Sequence, residues 1–252
     1  MRPFNRLHLQ SGMSLIEMIV AMGISSLLVL AGTQFWTYYQ KTSMFLKADH
    51  NAKEDQNDLG LLIKKVWDIR QRDGTPGIPN TGVLLQTKLG GVCTSNCPVL
   101  KIFVKRTLAG AVITDEVSFR NECLNITGTP QAAKISALNF ASPTIVNTNC
   151  GACLNAQLPI VVVTGKKFGT TENTLSTENK QFPDSTADLQ NLSMLNPLGM
   201  QACFSQANAG APLSLDLRVI SRNKQETGLR IFQKTQVLAL ENFANIKLEQ
   251  AP

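Results

Sequence analysis

Histidine is almost missing from this chain: there are 2, His8 and His50. A Ser-His-Asp or Cys-His catalytic group would have to use one of them, and neither lies in a recognisable motif. GxSxG, HExxH and the phosphate-binding loop are absent, and Gly165-Lys166-Lys167 lacks the upstream glycine spacing of such a loop. The carboxylates are scattered, with no acid pair standing out. These absences exclude the familiar hydrolase, metalloprotease and nucleotide-site signatures, so the chain is read as a non-enzyme without a cofactor. Charged residues are also scarce at 17%, against about 25% in soluble domains. Aromatics are 6%. No proline falls between Pro3 and Pro76, which permits one long uninterrupted helix. No acid precedes Glu17, no cysteine precedes Cys93, and no internal repeat is found.

What is present begins at the N-terminus. Residues 1–12, MRPFNRLHLQSG, are short and basic. Residues 13–33, MSLIEMIVAMGISSLLVLAGT, are apolar apart from Glu17 and a few hydroxyls, and no charge occurs from residue 18 to residue 40. About 20 apolar residues cross a bilayer core as a helix. Phe35, Trp36, Tyr38, Tyr39 and then Lys41 resemble an interface belt. An ordinary secretory signal peptide is shorter and ends in a small-residue cleavage site. A generic signal anchor explains the span but not Glu17, because an acid in a membrane helix costs at least about 2.5–3.5 kcal/mol and needs a partner.

The string Gly12-Met13-Ser14-Leu15-Ile16-Glu17 resembles the type IV prepilin signal. The resemblance implies cleavage between Gly12 and Met13 by prepilin peptidase, N-methylation of the new Met13 amine, and retention of the apolar helix. Glu17 then takes the family's glutamate position, the fifth of the mature chain. Met13 departs from the phenylalanine usual at the first position. The resemblance further implies other pilin or pseudopilin subunits, an inner-membrane assembly platform and the lipid bilayer as partners. The head would lie in the periplasm. Physically, the Met13 amine of one subunit can pair with Glu17 of its neighbour, neutralising both charges in low dielectric. Gly23 and Gly32 lie where major pilins often carry a helix-bending proline; they are local soft points or sites of close helix packing.

The helical pattern continues past the apolar run. Residues 41–58 are polar, then Leu59, Leu62, Ile63, Val66 and Ile69 recur at spacings of three and four beside Trp67. The sequence therefore predicts a helix from about 14 to 71, ended by the breakers of 73–79. Its domain plan is a leader at 1–12, a transmembrane or filament-core helix at 13–40, an amphipathic stem at 41–72, and a head at 73–252. In the head, 99–107 and 111–120 form a hairpin about Leu108-Ala109-Gly110. Residues 158–164, 213–221 and 228–240 are further strands. The fold class is α+β: a long N-terminal helix on an antiparallel β head, the pilin-like layout. Residues 165–212 are rich in Thr, Asn, Ser and Gln and read as a polar insertion, with short helices near 188–195 and either a partner-contacting role or none.

There are 6 cysteines, Cys93, Cys97, Cys123, Cys150, Cys153 and Cys203. Their even number in a membrane-targeted chain suggests disulfides. The pairing stays open, with Cys93–Cys97 the local candidate. The CxxC at Cys150 and Cys153 also admits a redox or zinc site, but no thioredoxin-like pattern surrounds it, and no metal is expected. The net charge is +6. Lys101, Lys105 and Arg106, and Arg218, Arg222 and Lys224, form small basic groups without interleaved aromatics, a weak footprint for nucleic acid. Competence pilins that take part in DNA uptake keep that partner open. Two sequons, at Asn125 and Asn191, are read as chance matches.

In layout the chain is similar to the large minor pilins of the type IV pilus and the large J-type minor pseudopilin of type II secretion. The expected role is incorporation into, or priming of, such a filament. The alternative is a tip adhesin or DNA-binding module displayed on one.

Overall fold

A computed structural model describes residues 14–72, 74–108, 110–129, 146–151, 153, 157–165, 180–184, 196–208, 210–222 and 229–239. Helix α1 runs over Leu15–Asp68 without interruption. The strands are β1 (Val83–Gln86), β2 (Val99–Leu108), β3 (Ala111–Asn125), β4 (Gln157–Thr164), β5 (Lys180–Phe182), β6 (Gly199–Ser205), β7 (Leu213–Arg222) and β8 (Leu229–Leu238). The fold is α+β, with one long apolar-led helix and two antiparallel sheets. The sheets are ordered β1-β2-β3-β4-β5 and β6-β7-β8. The chain divides into two units, Met1–Met44 and Phe45–Pro252.

In the second unit, α1 buries Ala48, Ala52, Gln56, Leu59, Gly60, Ile63, Val66 and Trp67. These recur every three or four residues and make one helical face. The distal part of this face was readable from Leu59 onward. Its proximal part was not, because it consists of two alanines and a glutamine inside a polar stretch. Small residues there let the helix approach the second sheet closely. A Cβ at Gly60 would stand 3.1 Å from Gln236 Oε1 and 3.5 Å from Leu217 Cδ1. Gln56 Nε2 donates to Leu217 O (2.8 Å) and Phe232 O (3.1 Å).

The core lies between that face and both sheets. Leu100, Ile102 and Val104 alternate inward along β2, and opposite them Phe119 and Val117 do so on β3. From β7, Leu213, Leu215, Leu217 and Val219 enter the same core. β4 is apolar almost throughout because it is covered on both faces. Val161 and Val163 join the main core, while Leu158 packs with Ile126, Val146, Leu198 and Ile220.

The reading of 165–212 as one polar insertion is corrected. β5 and β6 lie inside it, and β6 is almost wholly buried. Its sequence, GMQACFS, hid this because neither face alternates. Its polar groups are matched internally instead. Asn121 of β3 donates to Ala202 O (2.6 Å) and accepts from Ala202 N (2.9 Å), so a side chain replaces a neighbouring strand. Cys97 and Phe204 exchange backbone hydrogen bonds of 2.7 and 3.1 Å. Gln201, fully buried, holds Asn147 through its Oε1 (2.7 Å) and Nε2 (3.0 Å). The short helices expected near 188–195 lie outside the described residues. α1 ends at Asp68, ahead of the breakers, and Gln71 N donates to Phe103 O (2.6 Å), taking the chain onto β2.

Candidate functional site

The site the sequence points to is the N-terminal segment. Gly12 and Met13, the expected cleavage and methylation positions, lie outside the described residues. Ser14 and Glu17 form a reciprocal cap at the start of α1. Glu17 N donates to Ser14 Oγ (3.2 Å) and Ser14 N donates to Glu17 Oε2 (2.8 Å). This is the S-x-x-E capping box, which satisfies two of the orphan donors of a helix N-terminus. An acid is also favourable at the positive end of the helix dipole. The arrangement gives Glu17 a local role that the sequence reading did not assign, although the Ser-x-x-Glu spacing carried the signal.

Beyond the cap, the helix surface is apolar and open. Leu15, Ile16, Ile19, Val20, Ile24, Leu27, Leu28, Val29 and Leu30 are all exposed. Such a contiguous surface marks a membrane or protein contact. Two hydroxyls within it are satisfied locally: Ser26 Oγ donates to Met22 O (2.8 Å) and Thr33 Oγ1 to Leu30 O (2.9 Å). That removes the cost of carrying these groups into hydrocarbon. The helix is long and apolar enough to cross a membrane, and its most apolar stretch has no buried residue. Trp36 and Tyr39 stack with centroids 6.1 Å apart at the end of this run.

Residues 7–33 match the model of the prokaryotic N-terminal methylation motif. This chain carries a prepilin-type N-terminus. No curated protein and no solved structure matches it. The motif implies peptidase processing and assembly with pilin-type subunits. It also fits membrane anchoring through α1.

All six cysteines are paired: Cys93–Cys97, Cys123–Cys153 and Cys150–Cys203. The CxxC cysteines do not bond to each other. Cys153 ties its loop to β3 and Cys150 ties the same loop to β6, so the loop links the two sheets. No sulfur is left as a thiolate for metal or redox work, and among the described residues no three His, Cys, Asp or Glu side chains could hold a metal ion. His50 is exposed on α1, 3.9 Å from Glu54.

Of the basic groups, Lys105 is exposed and three others are paired or buried. Lys101 pairs with Glu116 (2.8 Å), Arg218 with Asp216 (3.1 Å), and Arg222 is buried. Lys224 and the Arg106 side chain lie outside what the structure describes. Asp55, half-buried on α1, is the one carboxyl among the described residues whose acidity is clearly altered. Burial, then the carboxylates of Asp184, Asp58 and Glu54, push it up to about 6 against the lowering effect of Lys180.

Proposed function

We propose that this protein is a minor subunit of a type IV pilus or a type II secretion pseudopilus, cut between Gly12 and Met13, methylated on Met13, and incorporated into or priming the filament. The observation that carries this reading is the methylation motif joined to a helix whose only acid in the apolar run is Glu17. In the reading, 13–40 form the membrane and filament-core part, 41–72 the stem and 73–252 the head. Glu17 exchanges its capping contact for the Met13 amine of a neighbour on assembly. The size of the head and its three disulfides favour a subunit used in few copies. The ion-paired basic residues favour assembly over nucleic-acid capture.

Mass spectrometry of the mature N-terminus from native membranes or sheared filaments tests it. A chain beginning at N-methyl-Met13 is the expected result. A chain still beginning at Met1, or cut well after Ser26, overturns it.

A further inference from the structure

We infer that the outer edge of β8 is a strand-addition site for an extended, acidic segment of a partner protein. Gln56 Nε2 bonds both Leu217 O and Phe232 O. One nitrogen can reach both only if both carbonyls point into the gap between β7 and β8. Backbone groups alternate sides along a strand. Even-numbered residues of β8 therefore bond β7, and Ile231, Gln233, Thr235 and Val237 turn their N–H and C=O groups away from it. β8 ends its sheet, and among the described residues nothing pairs with these outward groups. The opposite edge of the same sheet is different: β6 is closed by the Asn121 side chain and by Cys97.

Natural edge strands are blunted by proline, bulges or charged side chains. β8 has no proline and no bulge, and its two charges, Arg230 and Lys234, stand at positions whose backbone groups face β7. It is a 10-residue strand in unbroken register with β7. Its outward residues are uncharged, three of the four are strong strand formers, and Val237 is 62% exposed. Its charges lie on the other face. Arg230 pairs with Asp49 (2.8 Å) and lies over the rings of Phe45 and Phe232, and Lys234 donates to Asn57 (2.8 Å). An open edge of this kind binds extended peptides through main-chain hydrogen bonds.

Charge selects the occupant. Among the described residues Lys234 meets only the neutral amide of Asn57. Lys53 lies over the Phe232 ring, and Lys64 follows on the same side of α1. No acid occurs on β8; Asp49 pairs with Arg230 (2.8 Å), and Asp216, which pairs with Arg218, accepts from Gln233 Nε2 (2.9 Å) on the opposite face. A second copy of β8 paired antiparallel with Arg230 opposite Lys234 would set cation against cation. An acidic strand gains where that copy is repelled. The inference stands on the second unit alone and not on the proposed function.

The test is hydrogen exchange of the full-length protein in detergent micelles, with an acetylated peptide of alternating Glu and Val as probe. Exchange at Ile231, Gln233, Thr235 and Val237 is expected to slow about tenfold at a peptide concentration about ten times its Kd. The matching Lys-Val peptide should leave it unchanged. Thr235→Pro should abolish the protection without loss of a ladder bond. Thr235→Glu, which keeps the backbone donor but sets a carboxylate beside the acidic probe, should weaken it and guards against misfolding of the proline variant. No slowing at millimolar Glu-Val peptide, equal slowing by both peptides, or slowing with protein concentration alone would each overturn the inference.

Discussion

Gln56 and Gly60 occupy positions where a strong core helix would carry leucine. Both are buried against β7 and β8, and both work through closeness. Gly60→Leu should force the helix off the sheet and lower stability by about 1–3 kcal/mol, read as a shift in the denaturation midpoint of the full chain in micelles. Asp55 sits on the other flank of the same face. Its carboxyl is raised from 3.8 to about 6, so the folded state binds the proton more tightly than the unfolded chain. The associated stability is fully present below 3.8 and is lost as pH rises through about 6. Asp55→Asn should therefore match the parent in acid and exceed it at neutral pH. After solvent screening the gain is at most about 1 kcal/mol, measured by melting at two pH values.

At the scale of elements, the start of α1 carries two separable functions on one residue. Glutamine can replace glutamate in a capping box, but it cannot neutralise an amine. Glu17→Gln should leave the helix start intact by circular dichroism and still reduce recovery in sheared filaments at least about tenfold. Loss of one partner of a buried pair typically costs about 3–5 kcal/mol. Equal recovery of Glu17→Gln and parent would confine Glu17 to capping. β6 tests the correction to the head. A Cβ on Gly199 would lie 2.8 Å from Pro159 O and 3.0 Å from Pro159 Cδ, neither of which can step aside. Gly199→Ala should destabilise the head by about 1–3 kcal/mol, measured by the same melting experiment. A deletion meant to probe ligand binding has to spare 180–182 and 199–205, because those residues form β5 and β6.

For the whole molecule, two disulfides hang on one loop. Cys123–Cys153 and Cys150–Cys203 span 30 and 53 residues, and closing such loops contributes about 2–4 kcal/mol each. Removing both with serine should lower the melting temperature far more than removing Cys93–Cys97, whose separation is 4. Comparable losses would mean that the loop is not the link between the sheets. The sequence by itself determined the anchor, because an uncharged run with one acid near its start needs no distant residue to be recognised. It also determined the longer strands, such as β2, β3 and β7, whose alternation is local. Only the tertiary structure decided the disulfide pairing, the burial of Ala48, Ala52, Gln56 and β6, and which backbone groups of β8 face β7. In each of these a residue's environment is set by groups far away in the chain, such as Asn121 against Ala202 and Gln56 against Phe232, and no local periodicity records such a contact.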